Sequence, residues 1–242
     1  ALHFVLTAIF VVVPPLLVTE LDLTTNRQWQ LYLPVILASF VLMVPFVFLA
    51  EARQQMAPVF SGSIVALVAG LLLLAWGPQG IWGMGAALVV FFAGFNILEA
   101  SLPSLVSKAA PAAAKGTAVG VYNMAEFTGA FLGGTVGGAV SGAYGAEGVF
   151  VIGAVVTLLW LGVASTGPLP HYLATRMIAV GGRDAEELRR LETDLKAVDG
   201  VVEARVFADE GTAYCKVDTK RVDEEGLRRA LDGPRAEAGA AG

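Results

Sequence analysis

Cysteine and charged residues are both scarce in this sequence. The single cysteine, Cys215, excludes a disulfide framework and any metal site built on clustered thiolates. Only 15% of the 242 residues are charged, whereas soluble domains average about 25%. The net charge of −5 supplies no basic field, so we expect no nucleic-acid partner. This composition argues against a disordered chain, a nucleic-acid-binding protein and an ordinary soluble enzyme.

The few charges are concentrated at the C-terminal end. Residues 1–170 contain four Lys or Arg and six Asp or Glu, whereas residues 171–242 contain twelve and fifteen. The Gly-Pro-Leu-Pro sequence at 167–170 marks the change in composition. We therefore predict an apolar membrane part over residues 1–167 and a water-soluble part after it.

Long apolar stretches are what the first part has in abundance. A bilayer core of about 30 Å needs roughly 20 apolar residues in a helix, and a backbone in lipid must satisfy its own hydrogen bonds. The charged residues within these stretches are Glu99 and Glu126 alone. We predict an all-α bundle of six transmembrane helices, at about residues 1–19, 29–50, 56–76, 81–107, 116–144 and 149–166.

The basic residues of the loops predict the orientation of the bundle. Arg53, Lys108 and Lys115 lie in the loops after the second and fourth spans, and the other loops between spans hold only Arg27. Cytoplasmic loops carry an excess of Lys and Arg. This distribution of basic residues predicts a multi-pass protein of the cell (inner) membrane whose C-terminal domain is cytoplasmic.

Two membrane carboxylates are the candidate functional groups. Glu99 and Glu126 each follow an asparagine, Asn96 or Asn123, by three residues, so each pair shares one helix face. A charged side chain inside a bilayer usually faces the bundle interior. These four residues form either a structural polar layer or a transport path that couples to protons. His3 is interpreted as a satisfied core or interfacial histidine, or else as a titrating group in a proton path.

The fifth span carries glycines at intervals of four residues. Gly129, Gly133 and Gly137 form one such series, and small residues at this spacing let two helices approach closely. The series indicates either a static helix pair or a sliding surface that supports a conformational change.

The soluble part is predicted to be a small α+β domain of the ferredoxin-like type over residues 174–232. Alternating and helical apolar patterns succeed each other in the order β-α-β-β-α. Cys215 lies on the apolar face of a strand and is interpreted as a core residue. Residues 233–242 are rich in Gly, Ala and Pro, which predicts a disordered tail in place of a closing strand.

Several segments together resemble one transporter family. The run from Phe95 to Leu105, followed by the run from Lys115 to Tyr122, resembles the tenth and eleventh helices of YajR-like transporters of the major facilitator superfamily. The Ala-Glu-Ala-Arg sequence at 50–53 resembles that family's second cytoplasmic gating motif, and the ferredoxin-like tail is similar to the domain that marks this subgroup.

The resemblance implies the C-terminal half of a twelve-helix, proton-driven transporter, functioning as an exporter. The chain begins at Ala1 without a basic leader, so we expect a fragment whose missing partner is the N-terminal six-helix half. Glu51 and Arg53 would form a cytoplasmic gate, or only a solvated loop pair. The resemblance also makes the second span the expected neighbour of the glycine series.

The function favoured by the sequence is secondary active transport of a small molecule by alternating access across the lipid bilayer. No nucleophile triad, phosphate-binding loop or cluster of metal ligands is visible, so we expect no catalytic residue, no cofactor and no metal site. The alternative is a membrane-anchored sensor whose C-terminal domain binds a partner. A membrane enzyme is a third possibility, supported only by the two glutamates.

Overall fold

The computed structural model describes residues 1–53, 55–78, 80–111, 114–166, 173–180, 183–208, 211–218 and 221–232. The chain divides into two compact units. The first unit comprises residues 1–104 and 119–169, and the second comprises residues 105–118 and 170–242. The predicted boundary at 167–170 lies outside the described residues.

Five helices in the described chain are long and apolar enough to cross a membrane. Prolines within these helices remove backbone donors, which a bundle tolerates where neighbouring helices pack against the kink. A short 3₁₀ helix, Thr25–Arg27, joins the first two. The long helices are α1 (Leu2–Leu21), α2 (Trp29–Ala52), α3 (Met56–Trp76), α4 (Ile81–Ala109) and α5 (Lys115–Thr166).

A break at Gly145 divides α5. The helix has 52 residues, or about 78 Å at 1.5 Å per residue, which is more than twice the thickness of a bilayer core. Gly145 has φ 70° and ψ −169°, a conformation that glycine adopts without steric cost. The N-terminal segment of α5 (residues 115–144) and the C-terminal segment (146–166) are each long enough to span a membrane. The division into six spans stays a prediction, which this break supports.

The core of the first unit is formed by α1, α3, α4 and the C-terminal segment of α5. Glycines allow α3 and α4 to pack with their backbones close together. A Cβ atom at Gly70 would lie 2.7 Å from that of Phe91, and one at Gly94 would lie 2.6 Å from the Ser63 carbonyl oxygen. The largest fully buried side chains in this core include Ile9, Leu17, Ile64, Leu67, Leu71, Leu88, Phe91, Leu98 and Phe150.

The glycine series packs against α1, so the expectation that it faces the second span is wrong. A Cβ atom at Gly137 would lie 2.9 Å from the Ala8 Cα atom, and one at Gly133 would overlap the Phe4 carbonyl oxygen and the Thr7 hydroxyl. The Thr7 hydroxyl also lies 2.8 Å from the carbonyl oxygen of Ala130 in α5. The glycines thus allow α5 to approach the α1 backbone at Phe4 and Ala8.

The second span, α2, does not lie against the glycine series as expected. α2 exposes large apolar side chains along much of its length, including Val41, Val44 and Phe48. A second series on α5, formed by Gly134, Gly138 and Gly142, has no atom within 4 Å of the position that a Cβ would occupy. Only one of the two glycine series therefore serves helix packing within the described part of this chain.

The second unit contains a three-stranded antiparallel sheet of order β1-β3-β2. With its helices, the described chain here follows the predicted β-α-β-β-α order of a small ferredoxin-like α+β domain. The predicted tail at 233–242 lies outside the described residues. The elements are β1 (Leu173–Ala179), α6 (Ala185–Ala197), β2 (Val201–Phe207), β3 (Thr212–Asp218) and α7 (Glu224–Asp232).

Local sequence signals define α6. The Asp184 side chain accepts hydrogen bonds from the backbone N–H groups of Glu186 and Glu187, and the Glu187 side chain accepts one from the backbone N–H of Asp184. This capping box satisfies donors that the first helical turn leaves free. Leu188, Leu191 and Leu195 then lie on the face that is buried against the sheet.

β3 contributes to the domain on both of its faces. Ala213, Cys215 and Val217 lie in the core, as the alternating pattern predicts. Lys216 points to the opposite face, yet its exposed fraction is only 4%. Its ammonium group donates to the backbone carbonyl oxygen of Lys108 at 3.1 Å and to that of Ala110. Carbonyl groups at the end of a helix lack partners within it, which explains how a lysine is buried here.

Candidate functional site

Three titratable side chains from three helices of the first unit meet at one point. His3 of α1 lies between Glu99 of α4 and Glu126 of α5. The His3 Nε2 atom is 3.8 Å from the Glu99 Oε2 atom, and the His3 Nδ1 atom is 3.6 Å from the Glu126 Oε1 atom. These separations are too long for hydrogen bonds, so the imidazole faces one carboxylate at each nitrogen without bonding either. We call these three residues the His-Glu-Glu cluster.

Close helix packing positions the cluster. A Cβ atom at Gly129 would lie 3.5 Å from the Phe4 backbone nitrogen and 3.9 Å from the His3 Cβ atom, so α5 passes directly beside the start of α1. Glu126 precedes Gly129 by three residues and therefore lies on the same face of α5, one turn away. The glycine series thus places one carboxylate against the imidazole.

An aromatic ring supports the imidazole from α4. The rings of His3 and Phe95 meet edge to face with their centroids 6.0 Å apart. Phe95 precedes Glu99 by four residues, so both side chains lie on the face of α4 that is turned to α1. The apolar ring and the carboxylate together limit the orientations that are open to His3.

The facing oxygen atoms of the cluster are shielded from solvent. The side chains of His3, Glu99 and Glu126 are 22%, 40% and 19% exposed. Glu99 Oε2 and Glu126 Oε1 are nevertheless buried atoms, and neither accepts a hydrogen bond within the described chain. A cavity of about 170 Å³ adjoins His3 and Glu126, and its other lining residues include Leu2, Leu102, Tyr122 and Trp160. This space gives water or a small ligand access to the imidazole and to Glu126.

The two carboxyl groups can give the cluster an excess of negative charge. When both are ionised, their charge exceeds that of one imidazole in either of its protonation states. The basic residues nearest in sequence are Lys108, nine residues after Glu99, and Lys115, eleven residues before Glu126. The arrangement attracts protons or another cation.

The two asparagines of the predicted polar layer lie apart from the cluster. The Asn96 side-chain amide donates to the Ser39 hydroxyl of α2 at 3.0 Å. Asn123 is exposed on the N-terminal segment of α5. The four predicted residues therefore separate into a carboxylate pair, a link between α4 and α2, and one exposed amide.

The candidate gate lies at the end of α2. Glu51 belongs to the last turn of the helix, and its side chain lies outside the described part of the chain. Arg53 follows the helix as an exposed turn residue. A gating role for this pair stays a prediction.

Comparison with known proteins identifies the relatives of the chain. It is 34% identical over 235 residues to the inner membrane transport protein YajR of Escherichia coli (strain K12), an alignment that covers 95% of this chain and 50% of that protein. The chain is therefore similar to the YajR-like transporters over nearly all of its length. It is also 24% identical over 130 residues to the uncharacterized transporter BU466 of Buchnera aphidicola, which covers 54% of this chain and 33% of that protein. No family model matches the chain.

This YajR-like chain therefore spans about half the length of the curated relative that it matches over nearly its whole sequence. The resemblance predicted from the helix and loop motifs is confirmed. The similarity extends from the apolar helices through the small α+β domain, because 95% of the chain is aligned.

The sequence alone does not predict that His3 lies with Glu99 and Glu126. His3 and Glu99 are separated by 96 positions, so no local motif joins them. The available signal was that His3 is a titratable residue inside an apolar span, as are Glu99 and Glu126. Three such residues in one bundle predict a shared location better than the neighbouring asparagines do, because each carries a larger desolvation cost.

Proposed function

We propose that the full-length protein is a proton-coupled exporter of small molecules that functions by alternating access, and that this chain forms its C-terminal half. The observation that carries the proposal is the placement of His3 between two carboxylates inside an apolar helical bundle. The transporter names of both relatives support the proposal and disfavour an enzyme.

The chemistry of the cluster suits reversible proton binding. An ionised side chain inside a membrane is costly, and a proton on either carboxylate removes one negative charge from the cluster. A proton that changes the charge of the cluster would shift the balance between two packings of α1, α4 and α5, which is the basis of coupling.

The exposed surface of α5 supports a second six-helix half as a partner. The N-terminal segment of α5 leaves Val121, Met124, Phe127 and Phe131 between 61% and 76% exposed. These apolar side chains lie on the same segment as Glu126. The matched relative is about twice as long as this chain. Transporter sites commonly lie near the membrane midplane between two such halves.

The location of the protein follows from the same helices. A relative named as an inner membrane protein and helices that can cross a bilayer support a multi-pass protein of the inner membrane. We further propose that the small α+β domain is cytoplasmic, since the loops with Arg53, Lys108 and Lys115 would then be cytoplasmic too.

Inside-out membrane vesicles that contain the full-length protein provide the test. A respiratory substrate acidifies the vesicle interior, and a panel of lipophilic compounds is then added while a fluorescent dye reports the pH gradient. An exported compound should partly dissipate the pH gradient, because each transport cycle moves protons out of the acidic vesicle interior. Glu126→Gln and Glu99→Gln should each reduce this response at least about tenfold.

Glu20→Gln is the matched control, since Glu20 is an exposed carboxylate on the same helix as His3. This variant should respond as the wild type does. An equal response from Glu126→Gln at equal expression would contradict the proposed proton coupling. The absence of a response to every compound in the wild type, with substrate uptake independent of pH, would contradict proton-driven export.

A further inference from the structure

The His-Glu-Glu cluster also has the donor set of a metal site. The imidazole offers one nitrogen and each glutamate one oxygen, and these three donor atoms lie within 4.8 Å of one another. They come from α1, α4 and α5, so the helical bundle itself sets their relative positions. We propose that His3, Glu99 and Glu126 bind a divalent first-row transition-metal ion such as Zn²⁺ or Mn²⁺.

The two facing oxygen atoms supply an observation that is independent of residue type. Glu99 Oε2 and Glu126 Oε1 are buried and accept no hydrogen bond within the described chain. A buried acceptor is costly when neither a protein donor, nor water, nor a cation satisfies it. A cation bound between these oxygens and His3 would satisfy both at once.

The distances suit coordination after a small adjustment. Ligand bonds of about 2.0–2.2 Å in a tetrahedral site place neighbouring donor atoms about 3.4 Å apart. Reaching this spacing from separations of up to 4.8 Å requires a contraction of up to about 1.4 Å. Glutamate side chains have three rotatable bonds, so they can make this movement without a shift of the helices. The adjoining cavity of about 170 Å³ leaves room for water as a further ligand.

The chemistry of the donors selects the class of ion. One imidazole nitrogen with two carboxylate oxygens suits Zn²⁺ and Mn²⁺, whereas Mg²⁺ and Ca²⁺ prefer oxygen ligands alone. When both carboxylates are ionised, the net negative charge of the cluster favours a divalent cation. The titratable side chains lining the cavity are His3, Tyr122 and Glu126, with Glu99 facing His3 from α4. Protons should therefore compete with the metal for the same atoms.

Equilibrium dialysis of the purified full-length protein against ZnCl₂ and MnCl₂ tests the proposal. We expect one ion per chain at this site, with binding that weakens as the pH falls from 7.5 to about 5.5. His3→Gln, Glu99→Gln and Glu126→Gln should each weaken binding at least about tenfold, and Glu20→Gln should leave it unchanged. The visible spectrum of bound Co²⁺ should change in the same three variants.

Thermal unfolding guards against variants that fail to fold. Zn²⁺ should raise the unfolding temperature of the wild type and of Glu20→Gln, but not that of a folded Glu126→Gln protein, because an ion bound only to the native state stabilises it. Equal metal affinity in the wild type and all three variants would overturn the proposal, as would equal binding of Mg²⁺. Metal binding goes beyond the proposed transport function and can be tested separately from it. Proton-driven export that persists in excess chelator would support the transport function even if no metal binds.

Discussion

At the scale of single residues, the sequence predicts which apolar side chains are buried better than it predicts which groups contact a buried charge. The alternation on β3 correctly predicts that Cys215 is a core residue. The same alternation places Lys216 on the outer face of the sheet but gives no sign that backbone carbonyl groups bury it. Burial of an apolar side chain depends on a pattern within one strand. The burial of Lys216 depends on partners in other segments, namely the Glu203 carboxylate at 3.7 Å and the carbonyl groups of Lys108 and Ala110.

Cys215 provides a direct probe of the small domain. Its side chain is fully buried, and burial raises the pKa of the thiol, so the reactive thiolate is scarce as well as inaccessible. We expect the full-length protein to react with a maleimide at Cys215 only when the domain opens, with labelling at least about a hundredfold slower than in denaturant. Labelling at the same rate in native buffer would contradict the placement of Cys215 in the core.

Glu192 joins α6 to the sheet and should make stability depend on pH. Its Oε2 atom accepts from the Val206 backbone nitrogen at 3.2 Å, and its Oε1 atom lies 2.6 Å from the Lys196 ammonium. Burial alone would raise the pKa of Glu192, but these partners outweigh it and the net direction is downward. The stabilisation is therefore present above the ordinary pKa and is lost as the pH falls through the lowered value.

Glu192→Gln should accordingly destabilise a fragment of residues 170–242 by about 1 kcal/mol at pH 7, or about 4–8 °C in melting temperature. The deficit should vanish in strong acid, where the wild-type carboxyl is protonated. Glu186→Gln, which removes an exposed pair with Arg189, should change stability little at either pH. A deficit that is the same at pH 7 and in strong acid would contradict the assigned ion pair.

At the scale of elements, apolar length and local motifs were sufficient to place most helices and strands. The capping box at Asp184 and the alternating strands of the small domain agree with the pattern in the sequence. The neighbour of the glycine series was wrong, because spacing shows that a face is small but not which helix lies on it. Thr7 and Ala8 of α1 meet that face, and nothing in their local sequence marks them for it.

The contact between α1 and α5 predicts unequal effects of two similar substitutions. Gly133→Ala introduces a Cβ that overlaps the Phe4 backbone and the Thr7 hydroxyl, and should cost about 1–3 kcal/mol. Gly162→Ala, in the C-terminal segment of the same helix, meets no atom within 4 Å and should be neutral or slightly stabilising. Thermal unfolding of both full-length variants in detergent gives the comparison, and equal melting temperatures would refute close packing at Gly133.

At the scale of the whole molecule, composition separated the apolar part from the charged part, but the site required the folded bundle. Glu99 and Glu126 were predicted from the cost of a carboxylate in lipid. Their convergence on His3 depends on how three helices pack, which no single segment encodes. Asn96 and Glu99 share one face of α4 by their spacing. The Asn96 side chain nevertheless contacts Ser39 of α2, because two residues on one helix face can contact different neighbouring helices.

The two units of the chain predict a domain that folds independently of the membrane part. The small domain has its own core, formed by α6, α7 and the inner face of the sheet. A fragment of residues 170–242 should therefore give a cooperative melt and dispersed amide signals, although its stability should be modest for so few residues. Collapsed, undispersed signals would show that the fragment needs residues 105–118, which belong to the same compact unit.

Two fluxes in proteoliposomes show whether Glu126, which faces His3, couples proton movement to transport. With a compound identified in the vesicle screen, the full-length wild type should show both pH-driven accumulation and exchange of labelled for unlabelled compound at equal pH. Glu126→Gln should lose accumulation and keep exchange, because exchange needs no net proton transfer. Accumulation at the wild-type level in Glu126→Gln would contradict proton coupling through this carboxylate.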